Sequence, residues 1–560
     1  MAENRVGMAR NYTRVAGWLL SLPGIVDRAF ARLARNRRWC VVGVGLSALL
    51  LRLALLPILG VPVPGGHDEF SQLLLADTFA HGRLTNPAHP LWIHFESFHI
   101  IHQPTYSSIY PPAQGLVLAA GQLLGHPWIG ELLITALMCA AICWMLQGWL
   151  PPKWALFGAM LAVLRLGVFS YWMDGYWATS VVALGGALLL GALPRITRQQ
   201  RQQREQREQR IADALWLALG VAILANTRPY EGLVLAAIVG AALLIWMLGP
   251  AGPALGVSLK RIVAPAGLLL AAAALATGYF YYRVGGSPFR LTYVVDSQIY
   301  NPVPFFLWQQ PGALPAYNHE TLRQFYELDL QRWVEHRAQL LDFSIYRAAG
   351  IYFTYVGPYL AIPLLVMPWL WRDRGMRFAL LAGALFLVAM VGESWALPHY
   401  AAPATGLLFL IVAQCSRRIA LLKLFRFRIG RLAAQAIPVL VAVALVSRMA
   451  TAVAQSPKQR RWFRSNPERG EMMSHLGELP GKHVVVVAYA PPHDADNEWV
   501  YNSADIDGAK VVWARDMGVE KNRALRQYFA DRAFWTITVN DKTPPVLSRY
   551  QPDESGQAAK

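Results

Sequence analysis

An all-α polytopic membrane protein with a small α/β soluble domain at its C-terminal end is the fold class the sequence predicts, on three observations. Of 560 residues, 55% are hydrophobic and 15% charged, and the apolar residues come in runs suited to a hydrocarbon core about 30 Å thick. The Lys and Arg residues behind a net charge of +18 fall in short clusters between those runs. That is the positive-inside pattern of membrane loops rather than a nucleic-acid-binding face. Past Gln455 the long apolar runs stop and short strand and helix patterns replace them.

Residues 1–38 form a cytoplasmic basic segment. Within it Gly17–Arg38 reads as an amphipathic helix on the inner leaflet, interrupted near Pro23, with no cleavable signal. Residues 39–454 form the transmembrane domain, with about eleven crossings. They are Trp39–Gly60, Trp128–Leu150, Trp154–Tyr171, Trp177–Leu193, Ile211–Ala225, Gly232–Leu248, Ile262–Tyr281, Ala348–Leu370, Met376–Val391, Ala401–Cys415 and Leu432–Val453. Ala113–Leu124 is apolar but too short to cross and reads as a helix lying in the outer interface. Placing the N-terminus in the cytoplasm puts the basic clusters Arg195–Arg210, Lys260–Arg261, Arg372–Arg377 and Arg417–Arg431 on one side. The other side receives the first outer loop (61–127), Tyr171–Tyr176, Asn226–Glu231, the large outer loop (283–347) and everything after Gln455. This implies an inner (plasma) membrane protein with a periplasmic C-terminal domain, 455–560. In that domain Val484–Ala488, Val511–Ala514 and Ala533–Val539 read as strands and Lys521–Ala530 as a helix. Without a nucleophile constellation it reads as a stability or docking module. Cys40, Cys139, Cys143 and Cys415 lie in or beside apolar runs and read as core filler.

The chemistry concentrates in His67–Pro112. It opens with His67, Asp68 and Glu69 and adds His81, His89, His94, Glu96, His99 and His102, so that six of the chain's 13 histidines fall in this one stretch. Further ionisable groups sit at the outer ends of apolar stretches: Asp174 in YWMDGYW, Arg228 and Glu231 in NTRPYEG, Glu393 and His399 in ESWALPHYAAP. Arg165 and Arg52 lie inside crossings. Each alone reads as a snorkelling or capping side chain. Converging on one side of a membrane, they describe a polar cavity. Carboxylates there suit general-base work on a hydroxyl, and a guanidinium suits a departing phosphate. The phosphate-loop, zinc-helix and nucleophile-elbow motifs are absent from the sequence. A lipid-phosphate sugar would reach such a site by lateral diffusion.

One crossing, an outer loop opening with Asp68–Glu69, the element YPPAQGLVLAAGQLLG before the second crossing, and Asp174 after the third together resemble the GT-C glycosyltransferases. Among these the chain is similar to the protein O-mannosyltransferase and aminoarabinose-transferase group and to the bacterial RgtA/B/C/D-like transferases, over roughly Trp39–Cys415. The resemblance implies a polyprenyl-phosphate sugar donor, inversion at the anomeric carbon, and a catalytic acid in the first loop. That acid falls on Asp68, with Glu69 beside it and Asp174 as the third catalytic candidate. Substrate-binding candidates are His67, Arg165, Arg228, Glu231, Glu393, His399 and Tyr400. Burial is expected to raise the pKa of Asp68 towards the working range. No cofactor is assigned from the sequence, and the histidine-rich loop leaves open a divalent metal held by His94, Glu96, His99 and His102. Expected partners are the lipid-linked donor, membrane lipids, and an acceptor that is a glycan, a lipid or a protein.

Two other readings compete. A transporter or flippase would carry ionisable groups near mid-span, as Arg52 alone does. A surface-glycan ligase or polymerase would work through the large outer loop, with His319, Arg323 and Arg332.

Overall fold

The computed structural model describes residues 28–198, 209–250, 252–395, 397–422, 429–454, 466–495, 497–540 and 542–551. The first half of the expected N-terminal surface helix, parts of two basic clusters and the linker after Ala454 lie outside the described residues.

Helix α1 (Arg37–Ala54) starts where the Asn36 side chain accepts the Trp39 backbone N–H at 3.3 Å. The first outer loop follows as α2 (His67–Ala80), three short strands β1 (Asn86–Pro87), β2 (Ile100–Ile101) and β3 (Thr105–Ser108), and α3 (Pro112–Leu123). The strands pair antiparallel in the order β1-β3-β2. Then come α4 (Pro127–Trp149), α5 (Pro152–Ala162), α6 (Thr179–Arg198), α7 (Gln209–Ala225), α8 (Pro229–Leu248) and α9 (Ala264–Gly285). Pro112, Pro127, Pro152 and Pro229 each occupy the first turn of their helix, where the missing N–H costs nothing. The large outer loop folds into α10 (Thr292–Ile299) and α11 (Glu320–Ala338) and leads into α12 (Leu340–Ile351). Helices α13 (Gly357–Leu364), α14 (Arg374–Met390), α15 (Thr405–Ala420) and α16 (Ile429–Ala454) complete the helical body.

Each of the eleven apolar stretches is largely helical. By length and apolarity, five helices among the described residues suffice to cross a membrane: Pro127–Trp149, Thr179–Thr197, Pro229–Leu248, Leu255–Gly285 and Ile429–Ala454. The others are shorter or broken. Ala348–Leu370 is the clearest case. It is cut into α12, a wide turn at Tyr352–Val356, α13 and a tighter turn at Met367–Arg372. The break falls at Gly357, whose φ of 62° ends a regular helix, and Pro358 follows it. On the outer surface of the body Leu268, Leu275 and Ile245 are about three-quarters exposed (75%, 77% and 73%). Such side chains suit contact with lipid, not water.

The loops sort to two ends. At one end the Glu69 carboxylate accepts the Tyr176 N–H, Asn226 O accepts the Ala113 N–H, and Arg228 meets His399. At the other, Gln147 bonds Arg37 O, Arg195 bonds Trp144 O, and Gln414 bonds Asp373, with Trp149 stacked on Phe378.

The C-terminal domain is a four-stranded sheet in the order β5-β4-β6-β7, with β4 (His483–Tyr489) parallel to both β5 (Val511–Arg515) and β6 (Ala533–Val539). Helices α17 (Pro467–Glu478) and α18 (Val519–Tyr528) cover it. α17 and the edge strand β7 (Ser548–Arg549) were not foreseen. The four consecutive valines of β4 are buried on both faces of the sheet, as a central parallel strand requires. Val484 and Val486 share a core with Phe70, Leu74, Phe95, Ile100 and Tyr106 of the first outer loop. The domain is therefore packed onto that loop.

Candidate functional site

Two of the three catalytic candidates act as braces. Gly65 and Gly66 precede α2, and Glu69 in its first turn accepts their backbone N–H groups on Oε2 at 3.0 and 3.1 Å, and that of Tyr176 on Oε1 at 3.0 Å. The first loop is thereby tied to the stretch between α5 and α6. Burial pushes Glu69 up to about 7 against the pull of those three donors. Asp174 receives Arg52 Nε at 2.9 Å and the Ser170 N–H at 3.1 Å, while Arg52 also reaches Gly60 O at 2.8 Å. Arg52, the mid-span charge that favoured a transporter, is thus paired and packed over the Trp128 ring at 4.6 Å. Neither Glu69 nor Asp174 lines the cavity described next.

Asp68 does. One residue before Glu69 on α2, it turns the opposite way, with Oδ1 3.3 Å from His99 Nδ1. His99 holds φ 59°, a left-handed conformation uncommon for a residue with a side chain. Its carbonyl accepts from Ser71 Oγ at 2.6 Å and from the Ile109 N–H at 3.3 Å, which fixes that conformation. His67 packs edge-on to Phe98 at 4.6 Å beside this pair. The expected rise in the pKa of Asp68 is corrected. Burial does oppose the charge, but the ion pair with the His99 cation outweighs it and holds the carboxyl well below its ordinary range. His99 is raised in turn by Asp68, against the effect of burial.

Arg228 caps α8 directly before Pro229. Its Nη2 lies 2.9 Å from His399 Nε2, its Nη1 lies 3.9 Å from Glu231, and its guanidinium lies over the Tyr400 ring at 3.9 Å. An arginine only donates, so His399 Nε2 must accept and the imidazole is neutral with its proton on Nδ1. The turn Pro398–Ala404 that carries His399 and Tyr400 approaches α6 closely. A Cβ on Gly186 would stand 2.0 Å from Pro403 O.

Asp68, His99, Arg228 and Tyr400 line one cavity of about 530 Å³. Its far wall comes from the large outer loop: Tyr293 and Asp296 of α10, and Asp329, Arg332, Trp333 and His336 of α11. Among these only Arg332 was singled out from sequence. The spacing of 329, 332, 333 and 336 places these residues on one helical face, a signal available beforehand. Trp395 donates to Asp329 Oδ2 at 2.8 Å. His319 and Arg323, the other candidates of the loop-centred reading, turn elsewhere. His319 bonds Ile93 O at 2.7 Å, and Arg323 pairs with Glu320 and Glu327 on the surface.

Asp296 is buried, its Oδ1 has no hydrogen-bond partner, and burial raises it to about 6 although His99 pulls it down. Because the folded value lies above the ordinary carboxylate value, stability from this group falls as pH rises from about 4 to 6. The same ionisation adds negative charge to the cavity. The KM for an anionic donor should therefore rise roughly fivefold between pH 5 and 7.5, the effect of about 1 kcal/mol of repulsion. In Asp296→Asn that dependence should flatten, as steady-state kinetics at matched membrane levels would reveal.

A second chamber of about 300 Å³ adjoins the first and shares Arg228, Tyr293, Phe305, Trp395 and Tyr400 with it. Glu231 and Glu393 belong to this chamber. Burial and the charge of Glu231 push Glu393 up to about 9, which keeps it protonated at neutral pH.

Three placements differ from the sequence reading. Arg165 bonds the carbonyls of Phe353 and Tyr355 and lines neither chamber. Glu96 accepts from Tyr300 at 2.9 Å and Asn318 at 2.9 Å. His94 is lowered to about 4 and His102 to about 3, chiefly by burial. With His99 committed to Asp68, the four residues proposed for a metal do not converge. Among the described residues no group of three or more His, Cys, Asp or Glu is placed to hold one.

No family model and no curated protein matches the chain. Among solved structures it is similar to ArnT from Cupriavidus metallidurans in the apo state, at 13% identity and a TM-score of 0.49, covering 90% of this chain and 93% of that one. It is also similar to the archaeal oligosaccharyltransferase AglB from Archaeoglobus fulgidus in complex with an inhibitory peptide and a dolichol-phosphate. There identity is 12% and the TM-score 0.44, over 90% of this chain and 70% of that one. A third is the arabinofuranosyltransferase AftD from Mycobacteria, at 14% identity and a TM-score of 0.38, over 92% of this chain and 36% of that one.

Proposed function

We propose that this protein is a membrane glycosyltransferase that moves a sugar from a polyprenyl-phosphate donor to an acceptor hydroxyl at the extracytoplasmic face, with inversion. The observation that carries this reading is the meeting of Asp68 and Arg228, far apart in sequence, on the wall of one cavity. The Arg228 guanidinium holds the donor phosphate and spreads its growing charge over a planar fork. Asp68 receives the acceptor proton. A carboxylate held so firmly ionised is a weak base, which suits a late proton transfer. As the acceptor oxygen bonds to the anomeric carbon its proton becomes strongly acidic and passes downhill to Asp68. The C–O bond to the phosphate breaks on the opposite face, and the phosphate leaves with the bonding pair. Aromatic side chains (Tyr110, Phe325, Trp333, Trp395) offer the sugar faces to stack on.

A strain lacking the protein should accumulate one polyprenyl-phosphate sugar and lose that sugar from a surface glycan, lipid or protein. Unchanged lipid-linked sugars and surface glycans would overturn the assignment. The reading also requires the site end of the molecule to face the periplasm, with eleven crossings and a cytoplasmic N-terminus. A reporter fused after Gln455 should be active outside and one inserted near Arg204 inside. The reverse pattern would put the cavity on the wrong face.

A further inference from the structure

In open α/β sheets ligands bind beyond the carboxyl ends of the parallel strands, where the connections part to either side of the sheet. In the C-terminal domain the connections part between β4 and β6, and the neighbouring carboxyl end of β5 is marked by Arg515. It is filled by the protein's own loops. Arg515, 2% exposed, pairs with Glu498 inside its domain, donates through Nε to Glu96 O of the first outer loop, and donates through Nη1 to Thr321 Oγ1 of α11 at 2.8 Å.

Glu96 extends the joint. Its carboxylate, buried with the rest of the residue, accepts from Tyr300 just after α10 and from Asn318 just before α11. Three segments remote in sequence thus meet at one point, and two of them supply the facing walls of the cavity. Glu96 lies three residues before His99. Tyr300 lies four after Asp296, and Thr321 opens the helix that carries Asp329 and Arg332.

We infer that Arg515 is a positioning residue for the transfer reaction: the C-terminal domain grips both outer loops through it and sets the gap between the Asp68–His99 wall and the α10–α11 wall. This rests on reading the cavity as the transfer site. Guanidinium geometry is what the position demands, because three acceptors in different directions are met at once by the spread nitrogens of a rigid fork, whereas an ammonium holds its three donors on a single nitrogen and does not span them. The pair with Glu498 is an interaction within the domain that Lys can keep, so the domain should still fold in Arg515→Lys. Removing the charge altogether would leave Glu498 buried and unpaired, a different and merely destabilising change.

The test uses the full-length protein in lipid nanodiscs, spin-labelled at Glu335→Cys on α11 and Gln527→Cys on α18, both exposed, the four native cysteines being buried. In Arg515→Lys the distance distribution between the labels should broaden. Turnover should fall by up to about 10²-fold, as a misplacement of about 1 Å in a catalytic site allows, while the melting midpoint of the domain stays near wild type. Thr321→Val, which cuts only the link to α11, should broaden the distribution in the same sense with a smaller loss. An unchanged distance distribution in Arg515→Lys overturns the proposal whatever the turnover, and so does a broadened distribution with wild-type turnover. If the unsubstituted protein transfers no sugar, the function above fails, while the distance measurement still reports on the joint.

Discussion

Asp68→Asn should lower turnover by about 10²–10⁴-fold, the range over which a general base contributes, with membrane levels of the protein unchanged. Asparagine keeps the shape of the side chain and still offers an oxygen to His99 Nδ1, 3.3 Å away in the native site, but it cannot take the acceptor's proton. It also removes the negative charge that holds His99 above its ordinary value. His99 should then titrate lower in the variant, which NMR of labelled imidazole can follow independently of turnover. Glu69→Gln is the informative contrast. The native carboxylate accepts three backbone N–H groups, and an amide replaces one of its oxygens with a donor pointing at another donor. The expected result is a loss of about 1–3 kcal/mol of stability from lost bonding and an unsatisfied donor, read as a lower melting midpoint, with a smaller loss of turnover than in Asp68→Asn. Collapse of Glu69→Gln alongside near-normal Asp68→Asn would move the base to Glu69. Normal turnover in both would remove the first-loop mechanism.

That contrast also marks what could be read from residues alone. The pair Asp68–Glu69 could be located, because two carboxylates after a glycine turn at a membrane boundary are chemically unusual. Which of the two faces a cavity could not, since adjacent helical residues point about 100° apart and the partners that sort them, Tyr176 and His99, come from distant segments. Arg228, His399 and Tyr400 could be singled out as candidates for a similar reason: charge at a helix end, next to Pro229 in one case and within a proline-framed turn in the other. The same logic singled out Arg165 and Asp174, whose partners in the structure are the Phe353 and Tyr355 carbonyls in one case and Arg52 with the Ser170 N–H in the other. The far wall was largely missed. Asp296 and Asp329 sit in a mixed-charge loop where acids are commonplace, and only the fold of that loop onto α2 gives them a role. Helix positions followed from apolar length, whereas the interruption of Ala348–Leu370 depended on Gly357–Pro358, two residues inside an otherwise convincing run. In the C-terminal domain the strands were readable from runs of valine. Their contact with the first loop was not, because Phe70, Leu74 and Phe95 look like ordinary core residues of their own segment.

Arg228→Ala should weaken the donor and slow its reaction together, and Arg228→Lys should recover little of either. The guanidinium lies over the Tyr400 ring with one nitrogen on His399 and another towards Glu231, so its orientation is set on two sides before any phosphate arrives. A fork so held can present its outward N–H groups to two phosphate oxygens at once, and the charge it meets grows as the C–O bond breaks. Lysine restores the unit charge but neither the second donor nor the contact with the ring. The loss in Arg228→Lys is expected near 10²-fold in kcat/KM, the range of about 2.7 kcal/mol found for one oriented donor to a developing oxyanion. Arg228→Ala should lose that and raise the donor KM as well, because ground-state pairing with the phosphate goes too. His399 supplies an internal control. In native protein its Nε2 accepts from the arginine; without Arg228 that hydrogen bond is lost, and the NMR resonances of labelled His399 should move. A variant with wild-type kcat/KM and an unmoved His399 would assign Arg228 to helix capping and leave the donor phosphate without its proposed partner.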